Sequence, residues 1–194
     1  TGVVVIKSTV IPGTTRKFGL QYPRLKIAFV PEFLRERCAV ADFVEHHHLL
    51  AVGLPKLEPK DSNQAIADII IEAHGNYPKK VIQLTTTQAE LLKYYSNIFN
   101  AMRIIFANEM YEVANALEED YVSIKNAFIL KGGIEDIYLD VNDNFRGYGG
   151  TCLPKDVKAM AFLVKDLGLD LNLFKVLDEE NNKFKTTVFE GMRL

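Results

Sequence analysis

The first 85 residues alternate short apolar runs with turn residues, which is the pattern of an α/β sheet. Four of these runs predict strands over residues 3–6, 26–30, 49–53 and 81–84. The first run is β-branched and unbroken by polar residues, which is typical of a strand buried on both faces of a parallel sheet. Apolar residues at helical spacing predict a helix over about 61–73. We therefore predict half of a doubly wound α/β domain.

The next segment changes period and predicts one long helix. Thr87 with Glu90 three residues later has the form of a capping box, so the helix should begin there. Two apolar rows follow, one at Leu92, Phe99, Phe106 and Val113 and the other at Leu91, Tyr95, Ile98, Met102 and Ile105. A helix that continues to about residue 119 is on the order of 45 Å long. Because one domain cannot cover that length, part of its apolar face should meet a second copy of the chain.

Three shorter helices should follow, at about 122–131, 155–167 and from 173 to the end. Glycines at 132–133 and 147–150 separate them. The predicted fold class is α/β, with a sheet domain over residues 1–85 and an all-α domain with one long helix over residues 86–194.

The composition narrows the possible partners. Of the 194 residues, 48% are hydrophobic and 25% charged, as in soluble globular proteins. The 23 basic and 25 acidic residues give a net charge of −2, which predicts no nucleic-acid partner. No apolar run approaches the roughly 18 residues that span a bilayer, so no membrane association is expected. Two widely separated cysteines and an opening without a signal peptide predict a cytoplasmic protein.

Cys152 is the candidate nucleophile. It follows two glycines and precedes Pro154, a residue suited to the first turn of a helix, so its thiol should lie at a helix N-terminus. The helix dipole, Lys155 and Lys158 would favour the reactive thiolate. A lone cysteine is also commonly a small buried hydrophobe, and the local sequence leaves both roles open. Cys38 has no comparable setting and is interpreted as structural.

Three other groups are weaker candidates by themselves. Lys93 and Asn97 share one helix face and could hold an oxyanion, although an exposed polar stripe has the same spacing. Glu32 follows a predicted strand, where an α/β sheet can place a base. The histidines at 46–48 are consecutive and cannot converge on one ion within a strand or helix, so no metal site is predicted.

Four segments together resemble the UDP-glucose/GDP-mannose dehydrogenase family in sequence, order and spacing. They are VIKSTVIPGT at 5–14, PEFLRE at 31–36, ELLKYYSN at 90–97 and GYGGTCLPKD at 147–156. The resemblance covers residue 1 to about 190. It implies that residues 1–85 are the C-terminal half of a Rossmann-like NAD-binding domain. Residues 86–194 would be the central dimerisation domain, forming a homodimer through the long helix.

The resemblance implies an NAD-dependent 6-dehydrogenase. Such enzymes oxidise the 6-hydroxymethyl group of a nucleotide sugar to a carboxylate in two successive hydride transfers. UDP-glucose is the expected substrate, with GDP-mannose or a UDP-N-acetylhexosamine as open alternatives. A hydroxyacid dehydrogenase of similar layout is a second hypothesis, but its reaction needs no covalent nucleophile such as Cys152. A third is a non-catalytic helical dimerisation module.

The resemblance also implies catalytic roles. Cys152 would capture the aldehyde as a thiohemiacetal that becomes a thioester. Lys93 and Asn97 would stabilise the oxyanion. Asp156 would act with Lys93 through an ordered water, and Glu32 would assist thioester hydrolysis.

The implied ligand contacts are more numerous. Thr9 would contact the nicotinamide end and the ordered water, with Glu32 and Lys155 also on the cofactor side. The residues implied to contact the nucleotide sugar are Phe33, Leu34, Lys93, Asn97, Arg146, Tyr148, Gly149 and Gly150.

The chain departs from the family pattern in three places. No G-x-G-x-x-G fingerprint is present, and the family's C-terminal nucleotide-binding domain has no counterpart here. We therefore expect a fragment that is inactive alone. The loop before the cysteine motif is shorter than usual and lacks the family's sugar-contacting arginine at its usual place. The hypothesis is that Arg146 substitutes for it.

Overall fold

The computed structural model describes residues 2–34, 38–55 and 60–184, with the side chains of 60–62 left aside. The strands in these ranges are β1 (Val3–Ile6), β2 (Lys26–Phe29), β3 (Leu50–Leu54) and β4 (Val81–Thr85). The helices are α1 (Thr14–Gln21), α2 (Ala39–Val44), α3 (Lys60–His74), α4 (Thr86–Ala116), α5 (Tyr121–Leu130), α6 (Leu153–Asp166) and α7 (Leu173–Asn181). No helix in these ranges is long and apolar enough to cross a bilayer.

The chain forms two compact units, Thr1–Lys93 (unit 1) and Tyr94–Leu194 (unit 2). The division lies inside α4, whereas the sequence placed the domain boundary before that helix. The first turns of α4 belong with the sheet because they pack closely on β3. A Cβ added to Gly53 would lie 2.8 Å from the Ala89 Cβ and 3.1 Å from the Thr86 Cα. Glycine therefore permits this close approach.

The sheet of unit 1 is mixed, with the strand order β1-β2-β3-β4. The β1–β2 and β3–β4 pairs are parallel, while β2 and β3 pair antiparallel through Phe29 and Gly53. All four predicted strands are present within a residue or so at each end. The prediction that β1 is buried on both faces is wrong, since Val4 and Val5 are 44% and 37% exposed. β1 is at the edge of this sheet, whereas the inner strand β3 is buried throughout.

Two short helices, α1 and α2, were not predicted. No helix was predicted before about residue 61, but α1 begins at Thr14. Its N-cap is Gly13 in the left-handed region at φ 96°, and no local side chain caps it. α2 has only six residues and shows no clear helical period. Both helices lack the local signals on which sequence prediction relies.

The predicted capping box of α4 is also wrong. The reciprocal pair is Thr85 and Gln88: Thr85 Oγ1 accepts from the Gln88 N–H at 3.2 Å, and Gln88 Oε1 accepts from the Thr85 N–H at 2.9 Å. Glu90 instead points into unit 1 and is fully buried. α4 ends at Ala116, and Asp120 caps α5 by accepting from the N–H groups of Val122 and Ser123.

Each unit has its own core. In unit 1, α3 packs on β2 and β3 through Ala28, Val30, Leu50, Val52, Leu54, Ile66, Ala67 and Ile70. In unit 2, α4, α6 and α7 enclose Tyr94, Ile98, Ala101, Ile105, Tyr148, Val157, Met160, Val164 and Leu177. Among the buried residues described for this cluster, Tyr148 alone lies outside a helix. The loop before α6 is therefore anchored in the core of unit 2.

Candidate functional site

Cys152 occupies the N-cap position of α6, with Pro154 in the first turn. Its side chain is exposed, and Thr151 Oγ1 lies 3.7 Å from Sγ. The Cys152 carbonyl accepts from the Asp156 N–H at 3.1 Å. These observations confirm the predicted placement of the thiol at a helix N-terminus, where the dipole and free N–H groups attract negative charge.

A buried carboxylate lies one turn further along α6. Asp156 is completely buried, and its Oδ2 accepts from Asn97 Nδ2 at 2.6 Å. Its Oδ1 accepts from Lys155 Nζ at 2.6 Å, although the Lys155 side chain is half exposed. Asp156 and Cys152 are four residues apart, so they share one face of α6. The structure thus brings three predicted site residues, Asn97, Lys155 and Asp156, into one hydrogen-bonded group.

The glycine loop before Cys152 is held from inside unit 2. Gly147 and Gly150 adopt left-handed φ angles of 58° and 74°, which favour glycine. Between them, the Tyr148 N–H donates to Asn181 Oδ1 at 2.7 Å, and its carbonyl accepts from Asn181 Nδ2 at 2.9 Å. The Tyr148 hydroxyl donates to the Leu177 carbonyl at 3.3 Å. Sequence reasoning missed Asn181, because no local motif marks its contact with a residue 33 positions away.

Arg146 is engaged within the same unit. Its Nε donates to Asn108 Oδ1 at 2.8 Å, and its guanidinium pairs with Glu112. The guanidinium carbon lies 5.0 Å from the ring centres of both Tyr111 and Phe184. The hypothesis that Arg146 contacts substrate stays a prediction, and such a role would require the side chain to give up these contacts.

In unit 1, Glu32 follows β2 and lies with two lysines. Its carboxylate pairs with Lys7, and its backbone carbonyl accepts from Lys93 Nζ at 2.6 Å. The same ammonium lies 5.6 Å from the centre of the Phe33 ring. The structure therefore brings together Glu32, Phe33 and Lys93, which the sequence nominated separately. It adds Lys7, the residue directly after β1, which the sequence analysis did not nominate.

Thr9 and Leu34 are half-buried and lie in the segments that follow β1 and β2. The structure describes no hydrogen bond of the Thr9 hydroxyl. The assignment of Thr9 to the cofactor and of Leu34 to the substrate stays a prediction.

Glu90 caps α1, whereas the sequence predicted that it would cap α4. Its Oε2 accepts from the Gly13 N–H at 2.5 Å, and its Oε1 accepts from the Thr15 N–H at 2.8 Å. The intervening Thr14 N–H donates to the Ile11 carbonyl at 3.0 Å. A carboxylate from the chain itself thus occupies the position where a helix N-terminus could bind a phosphate. It also fixes the end of the loop that carries Thr9.

His47 and His74 belong to a ring cluster in unit 1, whereas His46 and His48 stack on each other. His47 is buried, and its ring centre lies 5.0 Å from that of Phe43 and 5.9 Å from that of His74. Burial first, and His74 second, lower the pKa of His47. Within the described ranges, no three His, Cys, Asp or Glu side chains are grouped as metal ligands.

Comparison with known families identifies the family to which the chain belongs. Residues 87–183, which are 97 of the 194 residues, match the family model for the UDP-glucose/GDP-mannose dehydrogenase family, central domain. The chain belongs to this family. The resemblance drawn from the four sequence segments is therefore confirmed.

Similar proteins from the dehydrogenase family match over almost the whole chain. The UDP-glucose 6-dehydrogenase of Rickettsia prowazekii (strain Madrid E) is 32% identical over 92% of this chain and 40% of its own length. The GDP-mannose 6-dehydrogenase of Pseudomonas syringae pv. tomato (strain DC3000) is 26% identical over 96% of this chain and 43% of its own.

A solved structure agrees with these matches. The UDP-glucose dehydrogenase of the hyperthermophilic archaeon Pyrobaculum islandicum superposes with a TM-score of 0.81. It is 30% identical, over 93% of this chain and 41% of that one. The chain thus spans about two-fifths of the length of these dehydrogenases. The predicted combination of an α/β sheet with a helical region containing one long helix is confirmed.

Proposed function

We propose that the protein carrying this chain is an NAD-dependent nucleotide-sugar 6-dehydrogenase that oxidises UDP-glucose to UDP-glucuronate. One observation carries the proposal: an exposed thiol at the N-cap of α6 shares a helix face with the buried Asp156–Asn97 pair. Membership of the dehydrogenase family supports the reaction class. The arrangement suits covalent capture of an aldehyde, because it combines a nucleophile with hydrogen-bonding and proton-transfer groups.

Cys152 performs the covalent steps. Its thiolate sulfur attacks the aldehyde carbon and forms a C–S bond, while the carbonyl oxygen takes up the electron pair and then a proton. The Asn97 amide stabilises that oxyanion, and Asp156 exchanges protons with an ordered water. NAD, when bound, would accept a hydride in each oxidation. The alcohol loses a hydride and a proton to become the aldehyde, and the thiohemiacetal loses a hydride and its hydroxyl proton to become a thioester on Cys152. Water then attacks the thioester carbon, the C–S bond breaks, and the thiol is restored.

Four further residues have proposed roles in catalysis or in cofactor binding. Glu32 assists thioester hydrolysis, and Lys93 stabilises the oxyanion. Thr9 contacts the nicotinamide end of NAD, with Glu32 and Lys155 as the further proposed contacts. The half-buried hydroxyl of Thr9 suits the polar nicotinamide amide. The N-terminus of α1 does not suit the pyrophosphate, because Glu90 already accepts from its N–H groups.

The proposed substrate is UDP-glucose because two of the compared proteins, including the structurally similar one, carry that name. GDP-mannose and a UDP-N-acetylhexosamine are the alternatives, and a GDP-mannose 6-dehydrogenase is also among the relatives.

The stoichiometry of NADH formation tests the proposed function. The intact protein is incubated with NAD and limiting UDP-glucose, GDP-mannose or UDP-N-acetylglucosamine, and NADH and uronate are measured together. We expect two NADH for each uronate, with the highest kcat/KM on UDP-glucose. One NADH for each oxidised nucleotide sugar would mean that oxidation stops at the aldehyde and would contradict the proposed reaction. Turnover of a 2-hydroxyacid with one NADH, and none of a nucleotide sugar, would favour the hydroxyacid dehydrogenase hypothesis. If the protein neither turns over nor binds any nucleotide sugar, the non-catalytic dimerisation module is the hypothesis that remains.

We also propose that a second copy of the chain covers one face of α4. The predicted apolar residues of α4 divide between a buried and an exposed face: Ile98 and Ile105 are buried in the core of unit 2, whereas other apolar side chains of both rows are exposed. The exposed row consists of Tyr95 (75%), Phe99 (48%), Phe106 (53%) and Val113 (51%). Spacings of four and seven residues place this row on one face of the helix. A continuous apolar row of this kind suits an isologous helix-to-helix interface.

A charge in the middle of the exposed row should separate the two copies. We expect Phe106→Glu to raise the dimer dissociation constant by about a hundredfold, since an unpaired carboxylate would be buried at the interface. Asn115→Glu is the matched control, because it adds the same charge on the opposite side of α4. Sedimentation equilibrium measures both constants. A wild-type protein that stays monomeric at high concentration, or an unaffected Phe106→Glu dimer, would contradict the proposed interface.

A further inference from the structure

The Asn181 side chain forms hydrogen bonds with both the backbone N–H and the backbone carbonyl of one residue in the loop before Cys152. The side chain is 4% exposed and lies at the last residue of α7. A primary amide carries a donor and an acceptor on one edge, so it can bond to an N–H and a carbonyl simultaneously. Asn181 does this at Tyr148, with distances of 2.7 and 2.9 Å. These two hydrogen bonds form a clamp on the backbone of Tyr148, with the same donor–acceptor pattern as the pairing between two β-strands.

These contacts engage Tyr148 at three points. Its ring is 2% exposed within the core of unit 2, and its hydroxyl donates to the Leu177 carbonyl, also on α7. Its single N–H is taken by Asn181. Tyr148 is therefore an anchor of the loop. Its contact with the nucleotide sugar stays a prediction, and a contact through the backbone N–H would require the hydrogen bond to Asn181 to break.

A second buried asparagine fixes the start of the same loop. Asn108 is 1% exposed on α4, and its Oδ1 accepts from the Gly147 N–H at 3.1 Å and from Arg146 Nε at 2.8 Å. Two buried amides thus hold the backbone at 147 and 148. The segment from Gly149 to Thr151 follows this anchor directly, becomes exposed from Gly150 onward, and leads into Cys152.

We propose that Asn181 is a positioning residue for nucleotide-sugar binding: it holds Tyr148 so that the backbone of residues 149–151 is preset beside Cys152. The inference rests on the proposed function for its substrate, but the clamp itself rests on the hydrogen bonds within unit 2. A preset backbone binds its ligand more tightly because it loses less conformational freedom on binding.

Asn181→Asp tests the clamp with little change in size. The new carboxylate can still accept from the Tyr148 N–H, but its second oxygen would face the Tyr148 carbonyl oxygen. Protonation restores a donor at that position, so the clamp should form at low pH and fail as the pH rises. Burial and the nearby Asp178 should raise the pKa of the introduced carboxyl group. The charged side chains on this part of α7, Asp178 included, form ion pairs: Asp178 with Lys158 of α6, Glu179 with Lys175, and Glu180 with Lys183.

Kinetics of the intact protein provide the first readout. At pH values above the titration of the introduced carboxyl group, we expect the KM for UDP-glucose to rise about tenfold, with the KM for NAD unchanged and kcat changed less. At low pH the ratio of variant to wild-type KM should return toward one. Asn182→Asp is the matched control, because it adds the same charge at the exposed neighbouring residue and should follow the wild type at every pH.

Amide hydrogen exchange of Tyr148 is the second readout and needs no turnover. Repulsion between the second carboxylate oxygen and the Tyr148 carbonyl oxygen should move the side chain away from both Tyr148 groups. Faster exchange in Asn181→Asp than in the wild type at the same high pH, with equal protection at low pH, would therefore support the clamp. Unchanged exchange would overturn it. An equal loss of kcat, NAD affinity and thermal stability at every pH would also overturn the positioning role and leave a structural one. If the wild type binds no nucleotide sugar, the proposed function fails, and the substrate role of Asn181 falls with it.

Discussion

Replacing Cys152 by alanine will abolish formation of the uronate, with kcat lowered about a thousandfold or more. The thiol is exposed at the N-cap of α6, and the proposed mechanism needs a sulfur atom that attacks an aldehyde and later leaves from a carboxyl group. Alanine cannot form the C–S bond, so oxidation beyond the aldehyde has no covalent route. The loss of kcat is measured from NADH formation by the intact protein, and the loss of uronate is measured by mass spectrometry.

Cys38→Ala is the matched control for this experiment. Cys38 is half-buried at the N-cap of α2 and has no proposed role, so the variant should keep wild-type kcat. Iodoacetamide supplies an independent check, because alkylation of Cys152 alone should remove activity in proportion to the label incorporated. A Cys152→Ala protein that retains kcat within a few-fold of wild type would show that the reaction does not use this nucleophile.

The second large effect is expected for Asp156→Asn, with kcat lowered about a hundredfold. The buried carboxylate accepts hydrogen bonds from Asn97 and Lys155. An amide keeps the shape but removes the negative charge and the capacity to take up a proton. It also presents an NH₂ group where two donors already converge. Proton transfer to and from the reacting oxygen should therefore slow, while the KM for UDP-glucose changes little.

Asp166→Asn separates this effect from a general change of charge on the same helix. Asp166 is exposed in the last turn of α6, where a negative charge is not favoured by the helix dipole. Its replacement should leave kcat unchanged. Urea unfolding of both variants shows whether the core of unit 2 survives. If Asp156→Asn keeps wild-type kcat while its stability falls, the carboxylate is structural and the proposed proton-transfer role is wrong.

The sequence alone determined the elements with strong local periodicity. The four strands, α3 and the long helix α4 follow from the spacing of apolar residues, and their bounds agree with the structure to within a few residues. It also placed the thiol of Cys152 at a helix terminus, because Gly, Pro and Lys at fixed offsets encode that geometry locally. The family followed from four short motifs, since each fixes several neighbouring residues.

Only the tertiary structure decided which side chains meet across long sequence separations. Glu90 looked like part of a local capping box, yet it caps α1 from more than seventy residues away. Asn181 clamps Tyr148, and Lys93 donates to the backbone carbonyl of Glu32, a residue 61 positions away. The exposure of β1 likewise depends on its place at the edge of the sheet. Periodicity reports the local environment of a residue, whereas a buried polar group takes its partner from whichever element the fold packs against it.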